Sequence, residues 1–197
     1  MAETGKFITL YGINRTGKST QAARLGQSLE GRGLKVKVIK YPIYQMEPTG
    51  PRIDAVLRRG LPMSDLALQR EFAQNRRDFE VVIKDGYLKN GIWVVAEDYA
   101  GTGIAWGVTR GIPLQQMEEM NADLLKENLA ILLDGVPFST GVERGHRYED
   151  NSEDMEKARG IHLDLVERYG WEIVNCNQTE QEVANDIWRV VEKKFFT

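Results

Sequence analysis

Residues 12 to 19 read Gly-Ile-Asn-Arg-Thr-Gly-Lys-Ser. Two glycines separated by four residues and followed at once by Lys18 and Ser19 are the parts needed to hold a row of phosphates. The glycines let the backbone curl so that successive N–H groups point inward at phosphate oxygens, and a helix starting there adds the positive end of its dipole. Lys18 would bridge the outer phosphates and Ser19 would offer a hydroxyl to Mg²⁺. Gly12, Asn14, Arg15, Thr16, Gly17, Lys18, Ser19 and Thr20 are therefore the candidate ATP-binding residues. Arg15 is an addition to the minimal pattern. A guanidinium inside the loop can stabilise charge on a migrating phosphoryl group, which makes Arg15 a candidate catalytic residue beside Lys18.

Such a loop works only between a buried strand and a helix, and the flanking sequence provides both. The apolar run Phe7-Ile8-Thr9-Leu10 precedes it, and a segment of helical period, 19–32, follows until Gly33. Further short apolar runs predict strands over 6–11, 35–40, 92–96, 129–134 and 171–175. Helices are expected over 65–89, 114–126, 154–169 and 180–194. Strands alternating with helices predict a parallel sheet with helices on both faces, so the expected fold is a three-layer α/β fold of the P-loop NTPase type, with five parallel strands. The Val, Ile and Leu content of the strands predicts burial on both faces. Two segments read as loops, 41–52 and 139–154; the charge and glycines of the second suit a mobile flap.

The 197 residues suit one hydrophobic core and so a single domain over 1–197. Apolar residues at 42% and charged residues at 28% are the balance of a soluble globular chain, and a formal charge of −3 argues against a general nucleic-acid surface. No run has the length of a membrane span and the first residues lack a signal-peptide pattern, so the expectation is a cytoplasmic protein without membrane or nucleic-acid partners. Cys176 is the one cysteine, so no internal disulfide forms; a small apolar side chain at a strand end is its simplest reading.

With the loop in place, the remaining motifs resemble the thymidylate kinase family of nucleoside monophosphate kinases over nearly the whole chain. Tyr41-Pro42 follows the second strand, and Thr49-Gly50 follows that. "LQREFAQNR" (68–76) places Phe72 and Arg76 at i, i+4 on one helical face. The resemblance implies that Phe72 stacks on the acceptor base while Arg76 hydrogen-bonds its carbonyl edge; the plain alternative is a core phenylalanine and a solvated arginine. "VVAEDYAGTGIAWG" (94–107) sits where the family has its strand-end motif. Glu97 then stands as a holder of Mg²⁺ through water or a proton acceptor, and Tyr99 lies under the sugar. Thr102 and Trp106 continue the match, Trp106 as a wall of the base pocket or as plain core packing. "ERGHRYED" (143–150) resembles a shortened arginine-bearing lid and offers Arg144 and Arg147 to ATP, with His146 an exposed loop residue. "NCNQT" (175–179) corresponds to the segment that packs on adenine. A two-fold homodimer is expected through the resemblance alone.

Three positions depart from the family pattern. Asp98 occupies the place of an arginine that grips the acceptor phosphate, Tyr44 the place of a second, and Asn14 the place of an acidic residue inside the loop. Each lost charge-assisted contact removes about 1.5–3 kcal/mol, so other cations must compensate, with Arg52, Arg58, Arg59, Arg70 and Arg77 as candidates. The implied activity is transfer of phosphate from ATP to dTMP, with Asn14, Tyr44, Phe72, Arg76, Asp98, Tyr99, Thr102 and Trp106 around the acceptor and Ser19 and Glu97 toward Mg²⁺. Two alternatives stay open on these residues: a kinase of deoxynucleosides or modified pyrimidine nucleotides, and a nucleotide-binding protein without catalysis.

Overall fold

The computed structural model describes residues 4–138 and 152–197. Five strands, β1 (Phe7–Tyr11), β2 (Lys35–Lys40), β3 (Ile92–Glu97), β4 (Leu129–Asp134) and β5 (Glu172–Asn175), form one sheet in the order β2-β3-β1-β4-β5. Every pairing is parallel. The period-2 alternation of β1 explains the layers. Ile8 and Leu10 face α1 (Lys18–Gly31) and α7 (Glu180–Phe195) through Ala22, Leu25, Leu29, Val183, Ile187 and Val191. Phe7 and Tyr11 face the opposite layer, which contains Ile83, Tyr99 and Leu124.

That second layer is built from α2 (Thr49–Arg58), α3 (Asp65–Val81), α4 (Ala100–Thr109), α5 (Leu114–Asn121) and α6 (Ser152–Tyr169). Ser64 caps α3 by accepting the Ala67 N–H, and Thr179 with Glu182 forms a reciprocal capping box on α7. No helix among the described residues is long and apolar enough to cross a membrane.

The sheet differs from the sequence expectation at its edges. β1, β3 and β4 are buried on both faces, but β2 keeps only Ile39 buried and β5 only Val174. Both are edge strands, and the lysines of β2 at 35, 37 and 40 blunt one edge against further pairing. The expected helix 65–89 is α3 to Val81, a π-helical stretch over Val82–Tyr87 and a 3₁₀ turn over Leu88–Asn90. The helix expected over 114–126 ends at Asn121, whose amide donates back to the Met117 carbonyl at 2.8 Å.

Two helices have no counterpart in the sequence reading: α2, whose first residues were expected to be loop, and α4. The α4 sequence AGTGIAWGVT has three glycines, poor helix formers by propensity. Their use is close packing. A Cβ at Gly101 would come within 2.3 Å of Trp171, one at Gly107 within 2.4 Å of Met117, and one at Gly103 within 2.5 Å of the Arg76 guanidinium. Tertiary contact therefore outweighs local preference, and it seats α4 directly under the cleft described next.

Candidate active site

A cavity of about 440 Å³ opens at the carboxyl ends of β1, β2 and β3, the crevice where ligands bind in open parallel sheets. Its donor half is the loop between β1 and α1. Gly12 has φ 143°, and a Cβ there would lie 2.7 Å from the Leu133 carbonyl oxygen, so only glycine fits the turn. Gly17, also left-handed, caps α1. Thr16 shapes the bend from behind, donating to the Ile13 carbonyl at 2.9 Å. Lys18 is nearly enclosed, and its ammonium donates to the carbonyls of Gly12 (2.9 Å) and Ile13 (2.8 Å).

Arg15 adopts φ 63°. It is joined to the chain after β4: the Phe138 N–H donates to its carbonyl at 2.8 Å, and its guanidinium reaches the Phe138 carbonyl (3.4 Å) and the Met155 sulfur (3.7 Å). Arg15 thereby ties the cradle to the residue that opens the 139–154 segment. Arg144, Arg147 and His146 lie outside the described residues.

At the end of β3, Glu97 is 6% exposed and accepts the Ser19 hydroxyl at 2.6 Å and the Lys40 ammonium at 2.9 Å. Burial works against the Lys40 charge, but the Glu97 carboxylate outweighs it and raises the Lys40 pKa. Asp98 follows with φ 62°, accepting from Thr102 at 2.8 Å and lying 3.9 Å from the Lys18 ammonium. Burial raises the Asp98 pKa against the opposing pull of Lys18, while Glu97 pushes it further up. Ser19 and Glu97 give the two adjacent oxygen donors that a hard divalent cation takes, so these residues fit Mg²⁺.

The acceptor half is one face of α3, where Gln69, Phe72 and Arg76 recur at helical spacing and line the cavity. Arg76 is no solvated charge: it is 4% exposed, burial lowers its pKa, and its one hydrogen bond among the described residues goes to the Asn121 amide oxygen at 3.1 Å. Asn75 holds the opposite wall. Its oxygen accepts the Ile43 N–H (2.8 Å), and its NH₂ donates to the Ile43 carbonyl and the Thr49 hydroxyl (both 3.0 Å), fixing the loop that carries Tyr41, Pro42 and Tyr44. Tyr44 carries the Arg58 guanidinium over its ring, 4.4 Å from the centroid.

Of the residues singled out in the sequence, Asn14, Arg15, Gly17, Lys18, Ser19, Thr20, Tyr44, Phe72, Arg76, Glu97, Asp98, Thr102 and Trp106 meet around this one cavity. Tyr99 does not. Its ring is fully buried against Phe7 and Tyr41, so the position expected under the sugar is a core position. Residues 175–179 do not line the cavity either; Asn177 instead clamps the backbone of Val136. Among the five compensating arginines, Arg58 alone lines the cavity and also pairs with Asp54 at 3.0 Å, while Arg52, Arg59 and Arg77 pair with Glu71, Asp54 and Asp123 away from it. Lys40, Gln69 and Phe138 line it unforeseen. Lys40 could have been found as the last residue of its strand; Gln69 could have been found three residues before Phe72.

Comparison with known proteins agrees with this geometry. The thymidylate kinase family profile matches residues 10–187. A thymidylate kinase of Neisseria meningitidis is 32% identical over 96% of this chain and 98% of its own, and that of Homo sapiens is 26% identical over 94% and 89%. The solved thymidylate kinase of Candida albicans superposes with a TM-score of 0.81 at 25% identity, covering 96% of this chain and 92% of the other. A cradle, a strand-end carboxylate and a stacking wall in one crevice, carried on a chain matched from residue 10 to 187, make this protein a member of the thymidylate kinase family.

Proposed function

We propose that the cleft transfers the γ-phosphoryl group of ATP to the phosphate of dTMP, giving ADP and dTDP. The observation that carries this reading is the meeting of the Lys18 cradle and the Phe72–Arg76 wall across a single cavity. A phosphate oxygen of dTMP forms the new bond to the γ-phosphorus, and the bond from that phosphorus to the β–γ bridging oxygen breaks. A phosphate monoester is largely dianionic at neutral pH, so the attacking oxygen needs no base. Glu97 then serves to hold cations. With Ser19 it would hold Mg²⁺, which supplies charge neutralisation for the phosphates.

Lys18 leaves the carbonyls of Gly12 and Ile13 for the outer phosphates of ATP. Arg15 stands at the mouth of the same loop and supplies positive charge where it develops. The base of dTMP stacks on Phe72 with a carbonyl toward Arg76, and Trp106 closes the pocket. The acceptor phosphate meets Lys40 and Arg58. Lys40, bonded to Glu97, and Arg58, paired with Asp54, also line the cavity, and each would exchange its carboxylate contact for the phosphate.

The full chain acts as one kinase domain in which residues 139–154 serve as lid and bring Arg144 and Arg147 to ATP. A cytoplasmic enzyme and a two-fold homodimer accord with the lone thiol and with the family. Steady-state assay of ATP with dTMP, dUMP, dCMP, AMP and thymidine tests the activity. ADP formation should depend on dTMP. Turnover of thymidine with none of dTMP would assign the site to a nucleoside kinase, and ATP binding without any turnover would leave only nucleotide binding.

A further inference from the structure

Gln69 is 1% exposed, and among the described residues neither its amide oxygen nor its amide nitrogen has a hydrogen-bond partner. Leaving both unmet keeps the full desolvation penalty of each group, an arrangement that a stable interior avoids unless something else completes it. The side chain lines the acceptor half of the cleft, one turn before Phe72 and two turns before Arg76 on the same face of α3. The Arg76 Nε–H is a third buried group there without a partner among the described residues. Both residues line the volume assigned above to the acceptor base.

From this we infer that Gln69 is a specificity-determining residue that reads the N3–H and an adjacent carbonyl of the thymine ring. An amide offers one acceptor and two donors. An imide edge offers an N–H between two carbonyls, so the Gln69 oxygen accepts the ring N–H while its NH₂ donates to one flanking carbonyl. Arg76 can only donate and so demands the other carbonyl. With Arg76 on the C4 carbonyl and Gln69 on N3–H and the C2 carbonyl, cytosine fails twice: its C4 amino group would face a guanidinium that cannot accept, and turning the Gln69 amide to meet its bare N3 would set the amide oxygen against the C2 carbonyl. The two residues together select a uracil-type ring, and Asn121, holding the guanidinium at 3.1 Å, keeps the selection in register.

The inference rests on the acceptor reading of this wall, and the experiment separates the two. Wild type, Gln69→Leu and Arg76→Ala are compared on dTMP and on its N3-methyl derivative. In wild type, methylation should lower kcat/KM by about 30-fold or more. In Gln69→Leu, kcat/KM for dTMP should fall by about 10–100-fold, mainly through KM, with KM for ATP unchanged. The penalty for N3-methylation should shrink to about threefold, and Tm should hold or rise because an unpaired buried amide has gone. A residue with only a structural role would lower Tm and leave the methyl penalty intact. Gln69→Met, of similar length without the amide, replaces Gln69→Leu if the latter does not fold. A wild-type enzyme indifferent to N3-methylation, or a variant with unchanged KM for dTMP or an undiminished penalty, overturns the inference. If Arg76→Ala also leaves dTMP binding intact, the acceptor site itself lies elsewhere.

Discussion

The two halves of the cleft differ in how their polar groups are satisfied. On the donor side most groups are bonded to one another: Lys18 to the Gly12 and Ile13 carbonyls, Thr16 to that of Ile13, Ser19 and Lys40 to Glu97, with the buried Arg15 Nε–H the exception. On the acceptor side the Gln69 amide, the Arg76 Nε–H and the Tyr41 hydroxyl are buried without partners among the described residues. The cradle is thus stable without its ligand and must exchange internal bonds for phosphate oxygens. The acceptor wall carries an uncompensated cost that a base of the right edge can offset. Binding energy should accordingly be modest per contact at the first half and selective at the second.

The largest expected effect sharpens the donor side of this contrast. Lys18→Met removes the charge that would move to the outer phosphates, and kcat should fall by about 10³-fold, at the upper end for loss of a single transition-state donor. Arg15→Ala comes next, with kcat lower by about 10²–10³-fold and KM for ATP changed little. Both are read in a coupled ADP assay. If Arg15→Ala keeps its kcat, catalytic charge comes from Arg144 or Arg147 instead. On the acceptor side, Arg58→Ala should raise KM for dTMP by about 10-fold with kcat nearly constant, the size of one charge-assisted contact in a half-exposed setting. The effect should shrink at high salt, since the Arg58 side chain is partly exposed. A KM for dTMP that does not move would leave Lys40 as the phosphate contact.

The same contrast explains which parts of the molecule were legible in the sequence. The cradle is local: Gly12 to Thr20 are consecutive, and each position has a backbone or phosphate reason that survives without tertiary knowledge. The five parallel strands were legible from apolar runs, although the exposed faces of β2 and β5 depend on their place in the sheet order, which composition does not encode. Helix α4 was hidden because its glycines lower helix propensity while serving contacts with Trp171, Arg76 and Met117, distant in sequence. Tyr99 shows the limit of motif alignment: the residue matches by position, yet its ring fills the core beside Phe7 and Tyr41. The departures at Tyr44 and Asp98 announced that other cations were needed. Singling out Arg58 required knowing that, of the five, it alone lines the cavity.

An orphaned polar group outside the cleft provides the control, and His162 is that group. It lies on α6, fully buried, with Nδ1 2.8 Å from the Ala158 carbonyl and Nε2 without a partner among the described residues. Burial lowers its pKa from 6.5 to about 4, with the Ala158 contact opposing; the Lys18 charge also lowers it and that of Asp134 raises it. The folded protein therefore binds this proton less readily than the unfolded chain does. No stability is lost above pH 6.5; below it the unfolded state gains protons first, and the loss grows until pH falls past 4, reaching about 2 kcal/mol near pH 5. His162→Leu should flatten the dependence of urea midpoints on pH between 7 and 5 while leaving KM for dTMP unchanged. The Gln69 and Arg76 orphans should respond to dTMP and not to protons in that interval. A His162→Leu variant with the wild-type acid profile would mean that other groups carry it, and one with altered dTMP binding would mean that unpaired buried groups in this fold do not sort by their distance from the cleft.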